Sequence, residues 1–312
     1  MEIVKLRVNQ LTTLAAIAAL VCGLFSADAA EQTREQVKSQ TVTLGVVSEL
    51  GRGQVTRHFS EFVRYIAARI APGSEGKIVI APTPFQLARL IEQNRVDFYM
   101  ESPYPTYLVN NVQGVAKLLL RRWKGGMPEY RSLIFSRKNG EVKRLEDLKG
   151  KVFVFEDPES TSGHFLPQHF LSRKGFRFID KNRYDPDASP TDVRFLFSGS
   201  QEKVVDWVLT QKAAAGAISD DDYARLDEKT KSEITILTET ERLPSNLLSV
   251  RKDFSPALTA RLEQVLLVMH ENEQGRKVLR NTDDTTKFDR LPEGDAGLRR
   301  RLTEIFKARD KR

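Results

Sequence analysis

Two hydrophobic periods alternate along the chain. Thr41 to Ser48 (TVTLGVVS) is a run of β-formers and reads as a strand. Phe59, Phe62, Val63, Ile66 and Ile70 then recur at helical spacing until Ala71-Pro72-Gly73 stops them. Lys77 to Ala81 predicts a second strand and Pro84 to Asn94 a second helix. Arg95 to Met100 predicts a third strand, running into Glu101-Ser102-Pro103-Tyr104. This order predicts a parallel sheet covered on both faces, with ligands beyond the C-terminal strand ends. Those ends are Ser48-Glu49, Thr83 and Glu101 to Tyr104.

The plan repeats downstream. Tyr130 to Arg137 predicts a strand, with a turn at Asn139-Gly140. The stretch Lys151 to Pro167 (KVFVFEDPESTSGHFLP) reads as strand, hydroxyl-rich turn and first helical turn. Arg194 to Phe197 is a strand leading through Ser198-Gly199-Ser200-Gln201 into a helix with Val204, Val205 and Val208. Ala214 to Ser219 is a short strand ending at Asp220-Asp221-Asp222. Ile234 to Thr238 and Asn246 to Arg251 read as strands, and three helical segments follow: Pro256 to Glu271, Gly275 to Leu279, and Gly297 to Lys307.

The 312 residues are enough for two lobes with their own cores. The net charge of +7 suits an anionic ligand, a nucleic acid or an anionic surface. Acids and bases are interspersed and no nucleic-acid motif appears, so no nucleic-acid partner is expected. The N-terminus reads as a secretory signal peptide: Lys5 and Arg7, an apolar stretch from Leu11 to Leu24, and a small-x-small site at Ala27-Asp28-Ala29. The sole cysteine, Cys22, falls inside it, so the exported chain has no disulfide and relies on its cores. A polar lead, Glu31 to Gln40, is expected to be frayed. His58, His164, His169 and His270 lack partners at metal spacing, so neither a metal nor a cofactor is expected.

The hydroxyls of Ser160, Thr161 and Ser162 sit where unsatisfied N–H groups and the helix dipole favour an oxyanion. One of them alone would serve as an ordinary N-cap. From Glu156-Asp157-Pro158 through Ser160-Thr161-Ser162-Gly163 to Pro167, the chain resembles the phosphonate-binding proteins of ABC importers and their phosphate- and phosphite-binding relatives. Val96-Asp97-Phe98 to Tyr104, Phe197 to Ser200, Gly216-Ala217-Ile218 and Leu243 to Asn246 fall in the same order, so the resemblance runs from about Thr41 to Glu271. It implies a two-lobed α/β periplasmic-binding fold of type II, each lobe a mostly parallel sheet flanked by helices, with the ligand in the cleft. It also implies that Ser160, Thr161 and Ser162 hold the oxyanion while an aromatic matching Tyr104 closes over it. Expected boundaries are 1–29 for the leader, 30–133 and 243–312 for lobe 1, and 134–242 for lobe 2.

One position departs from the pattern: the best-known relatives carry a histidine where this chain has Gln201. A glutamine donates a neutral hydrogen bond where a histidinium gives a charge-assisted one. Glu101, Ser102 and Ser48 lie at strand ends facing the expected cleft. Asp220 and Asp221 either face it too or form, with Asp222, the first turn of a helix. A buried carboxylate there would select against sulfate, which near neutral pH offers it no proton. His164 could reach the anion or lie on the surface. Arg121, Arg122 and Lys124 around Trp123 read as a solvated loop, a cleft mouth or an importer contact. Tyr99 reads as core. The expectation is a monomeric periplasmic binding protein that delivers a phosphonate, phosphate or phosphite-like oxyanion to a membrane ABC permease. The alternative is a sensor of the same fold serving a membrane receptor. With no nucleophile–base order in the sequence, an enzyme is not expected.

Overall fold

The computed structural model describes residues 41–48 and 52–307. The leader, the polar lead and the last basic residues from Arg309 onward lie outside the described residues. The chain opens with β1 (Thr41–Val47), α1 (Arg52–Ile70), β2 (Glu75–Ala81), α2 (Pro84–Glu92) and β3 (Phe98–Glu101). A helical run over 103–112 follows, made of α3 (Pro103–Tyr107) and a π-type turn (Leu108–Val112), and then β4 (Ala116–Lys124). β5 (Glu129–Tyr130) leads into a second set: β6 (Ser132–Arg137), β7 (Val152–Phe155), a π-type turn (Thr161–Phe165), α4 (Leu166–Arg173), β8 (Phe178–Asp180) and β9 (Val193–Phe197). α5 (Gln201–Leu209), β10 (Ala215–Ser219), α6 (Asp220–Arg225), α7 (Glu228–Ser232) and β11 (Ile234–Glu239) complete it. β12 (Leu243–Pro244) returns, followed by β13 (Asn246–Arg251), α8 (Pro256–Leu267), α9 (Glu273–Asn281), β14 (Thr285–Arg290) and α10 (Gly294–Phe306).

The strands sort into two six-stranded sheets, ordered β14-β4-β13-β3-β1-β2 and β11-β6-β10-β7-β9-β8. Both belong to one compact unit. The crossing strands β5 and β12 pair antiparallel, Leu243 opposite Tyr130, so the chain passes between the lobes side by side. The apolar spacing in α1 buries Phe62, Val63, Ile66 and Ile70 against β2. Phe153, Val154 and Phe155 of β7 are fully buried because helices cover both faces of its sheet.

The first sheet is more mixed than the expected mostly parallel one. β1 pairs parallel with β2 and β3, but β13 runs antiparallel to both β3 and β4, and β14 antiparallel to β4. The solvated-loop reading of Arg121 to Lys124 is corrected by the same strands. These residues lie in β4 between β13 and β14, and Arg122 is only 2% exposed. Each buried guanidinium there has a carboxylate: Arg121 meets Asp289, and Arg122 meets Asp283 at 2.7 Å. A core cluster also spans the two lobes, joining Phe165 and Leu166 of lobe 2 to Tyr107, Leu247, Leu302 and Phe306 of lobe 1.

Candidate functional site

On the lobe 2 side, β7 ends at Phe155 and the chain turns through Glu156 and Asp157, whose Oδ1 accepts the Glu159 N–H. Ser160 is the cap of the helical run that follows: its Oγ accepts the Gly163 N–H at 2.9 Å and lies 2.7 Å from Glu156 Oε2. Gly163 is required here by close approach. A Cβ at that position would lie 2.5 Å from Glu156 Cβ. On the lobe 1 side, β3 ends at Glu101, and Ser102 caps the helical run over 103–112. Pro103 and Pro105 carry no N–H, which leaves the Tyr104 amide as a forward-pointing donor.

Thr161 joins the two sides. Its Oγ1 accepts the Tyr104 N–H at 2.8 Å and donates to Ser102 Oγ at 3.0 Å, and the residue is 1% exposed. Two helix N-termini from opposite lobes therefore converge on one hydroxyl. Both macrodipoles favour negative charge at that point. The Tyr104 ring stacks face to face on Phe165 and meets Phe306 edge-on, so the contact is sealed by aromatics from both lobes. Arg225 of lobe 2 and Asp284 of lobe 1 add an ion pair across the lobes at 3.2 Å.

Among the buried side-chain atoms without a geometric hydrogen bond, the Tyr130 hydroxyl is set close to this junction. The Tyr130 hydroxyl lies beside Thr161 and Ser162 without a bonding partner, and Asp221 Oδ1 and Asn246 Oδ1 are also buried and unpaired. Burial pushes the Tyr130 phenol well above its ordinary value, and the Asp221 carboxylate adds to this.

The acidic residues divide into distinct roles. Glu101 Oε1 accepts the Val47 N–H at 2.9 Å, and burial pushes its carboxyl up to about 8, with Glu159 adding and the Val47 amide and Arg122 opposing. Burial likewise raises Glu156 to about 7 against the hydrogen bond from Ser160. Asp220, Asp221 and Asp222 form the first turn of α6, as the second of the two readings expected, and Asp220 is held by two further contacts. Its Oδ1 accepts the Arg131 N–H, and its Oδ2 pairs with Arg242 at 3.1 Å, so it grips both chain crossings. Ser219 is the cap, and its Oγ donates to Asp222 Oδ2.

Gln201 does not stand free either: its Nε2 donates to Glu156 Oε2 at 3.1 Å and its Oε1 accepts the Ser219 N–H. Ser48 closes β1, its N–H bonded to Ala81 O. Ser162 is buried, and its carbonyl accepts from Ser132 Oγ. His164 is buried, not on the surface, with Nδ1 3.0 Å from Pro158 O and its ring edge-on to Phe197. Sequence reasoning passed over Glu156, Tyr130 and Asn246 as site residues. All three sit at ends of strands that also carry quoted landmarks, which was the available signal. Among the described residues no group of three or more His, Cys, Asp or Glu is placed to hold a metal, and no helix is long and apolar enough to cross a membrane.

The chain matches the family model described as "ABC transporter, phosphonate, periplasmic substrate-binding protein" over residues 44–293. Among solved structures it is similar to XAC2383 from Xanthomonas citri bound to ATP, at 26% identity and a TM-score of 0.77, covering 87% of this chain and 99% of that one. It is also similar in fold to PhnD1 from Prochlorococcus marinus in complex with methylphosphonate, at 16% identity and a TM-score of 0.66, covering 87% and 99%. A binding protein component of an ABC phosphonate transporter from Pseudomonas aeruginosa gives 17% identity and a TM-score of 0.61, covering 88% and 98%. The shared architecture is the two-lobed type II periplasmic-binding fold.

Proposed function

Because the chain belongs to the periplasmic phosphonate-binding family of ABC-transporter substrate-binding proteins, we propose that it captures a phosphonate, phosphate or phosphite-like oxyanion between its lobes for a membrane permease. The observation that carries this reading is the convergence of two helix N-termini on Thr161 Oγ1. An oxyanion placed there takes the Tyr104 N–H and the Thr161 hydroxyl, which now donate to Thr161 and to Ser102, together with the Ser102 hydroxyl. The ligand adds its hydrogen bonds to both sides at the point where Thr161 already joins the lobes, and closure follows from them. Ser162, Glu101 and the orphaned Tyr130 hydroxyl extend the same surface.

The raised carboxyls of Glu101 and Glu156 hold a proton near neutral pH more readily than ordinary ones, so they can sit beside an oxyanion with little repulsion. Above those values both groups ionise, and there a proton-bearing hydrogen phosphonate or hydrogen phosphate is favoured over sulfate. The ATP-bound relative adds a phosphate ester to the ligands worth testing. Export rests on the leader over residues 1–29, and the proposed state is a monomer that meets its permease in the periplasm.

The test is a thermal-shift panel of methylphosphonate, 2-aminoethylphosphonate, phosphate, phosphite, ATP, sulfate and an alkanesulfonate. A ligand at 100 times its Kd adds about 2.7 kcal/mol of stability. Stabilisation by a phosphorus oxyanion and not by sulfate is the expected result. Response to the sulfur oxyanions alone, or to nothing in the panel, would overturn the ligand class.

A further inference from the structure

Glu156 stands where two strand ends and the Ser-Thr-Ser-Gly turn meet. Its backbone N–H donates to Gly163 O, its carbonyl accepts from Gly199, and its side chain lies under Gly163. Gly199 can make that approach because it adopts a φ of +87°, a conformation open to glycine. The same carboxylate oxygen, Oε2, meets both Ser160 Oγ at 2.7 Å and Gln201 Nε2 at 3.1 Å. One side chain thus ties together the ends of β7 and β9 and the Ser-Thr-Ser-Gly turn.

Ser160 has one proton to donate and two lone pairs. One lone pair takes the Gly163 N–H, so the direction of the remaining contact with Glu156 decides where the Ser160 proton points. We propose that Glu156 is a proton-linked positioning residue for Ser160. Ionised, it accepts the Ser160 O–H and turns it away from the cleft; protonated, it donates to Ser160 Oγ and frees that O–H for a bound oxyanion. The proton comes from solvent and rests on the Glu156 carboxyl, so anion binding takes up a proton there. This inference rests on the oxyanion reading of the site.

The surroundings favour such an exchange. The charged groups set against Glu156 are carboxylates from three elements: Asp157 on its own turn, Asp222 on α6 and Glu202 on α5. Lys124 and Arg225 act one step further out, on Asp222. Burial is the leading cause that holds the Glu156 carboxyl near 7, within reach of ordinary pH changes. Gln201 takes no proton itself, and its amide stays bound to Oε2 and the Ser219 N–H throughout.

The experiment is calorimetric binding of methylphosphonate at pH 6 and pH 8.5 to the wild-type protein, Glu156→Gln and Ser160→Ala. The ligand's own titration is common to all three proteins and cancels when their pH profiles are compared. Strict linkage through a group near 7 predicts that wild-type affinity falls roughly ten- to thirty-fold more than that of Glu156→Gln between these pH values. Ser160→Ala should lose about tenfold at pH 6 and little at pH 8.5, where the hydroxyl already faces Glu156. Parallel profiles for wild type and Glu156→Gln, or equal loss at both pH values for Ser160→Ala, would overturn the proposal while leaving the ligand reading intact. Absence of methylphosphonate binding in every protein at both pH values would remove the ligand reading and this inference with it. Should Glu156→Gln fold poorly, the Ser160→Ala comparison decides alone.

Discussion

Replacing Glu101 by glutamine should make the protein more stable in mild alkali. In the folded chain the Glu101 carboxyl is pushed from its ordinary 4.5 to about 8, chiefly by burial. The unfolded chain ionises first, so between those values the native state holds a proton that the unfolded state has lost. Stability therefore falls as pH rises through this window, and below 4.5 the group contributes no difference. Each pH unit in the window removes at most about 1.4 kcal/mol, which sets a ceiling on the order of 4–5 kcal/mol by pH 8. Water reaching a partly exposed side chain reduces this, and about 2 kcal/mol is the expected gain. Glutamine keeps an oxygen for the Val47 N–H, so the hydrogen bond seen at 2.9 Å survives the substitution. Urea unfolding followed by tryptophan fluorescence between pH 4.5 and 9 gives the difference curve directly. The two proteins should coincide near pH 4.5 and diverge steadily to pH 8, with Glu101→Gln the more stable. A difference that stays constant across the range, or grows as pH falls, would refute the reasoning.

Thr161→Ala removes the hydroxyl shared by both helix N-termini and should weaken oxyanion binding by about 1.5–3 kcal/mol, measured by titration calorimetry; unchanged binding would move the site elsewhere. Asp220→Asn loosens the grip on Arg131 and Arg242 at the chain crossings, and small-angle scattering of the unliganded protein should show a larger radius of gyration than wild type. Gly163→Ala drives a methyl against Glu156 and should destabilise by about 1–3 kcal/mol in urea unfolding, whereas a neutral result would mean that the turn can shift freely.

The fold was legible where hydrophobic period and strand-end punctuation agreed. The β1–α1–β2–α2–β3 unit and the strand–turn–helix from Lys151 were readable for that reason. β4 was not, because its polar half (Arg121, Arg122 and Lys124) looks solvent-facing until Asp283 and Asp289 arrive from a distant segment to pair with it. A buried arginine cannot be told from an exposed one without knowing its partner. The same limit applies to the site. Ser160 and Thr161 were readable from local helix-start chemistry, Ser102 from its strand end and Tyr104 only through the family resemblance, and the structure sets Thr161, Ser102 and Tyr104 at one junction. Asp220 and Gln201 were placed at the correct strand ends, but what each side chain does depends on Arg242 and Glu156, contacts that no local pattern encodes.

The charge pattern around the junction bears on what such a cleft can hold. The chain carries a net +7, yet the cationic groups near the junction are already matched. Arg122 and Lys124 share Asp283, Arg131 contacts Glu239 and Asp220, Arg242 shares Asp220, and Arg225 joins Asp222 to Asp284. An incoming anion therefore meets amide dipoles and hydroxyls in place of an unpaired cation, with Glu101 and Glu156 close behind them. At an effective dielectric of about 20, two unit charges 4 Å apart repel by about 4 kcal/mol, and a second charge on the ligand roughly doubles that opposition. A dianion would therefore be excluded unless one of the participants takes up a proton. Hydrogen phosphonate and hydrogen phosphate can bring that proton, Glu101 already holds one below about pH 8, and Glu156 can take one from solvent. Sulfate brings none and leaves the whole burden to the carboxyls. Discrimination between tetrahedral oxyanions of nearly equal size by the proton thus operates above the raised values of Glu101 and Glu156, where both are ionised and only a proton-bearing ligand can meet them.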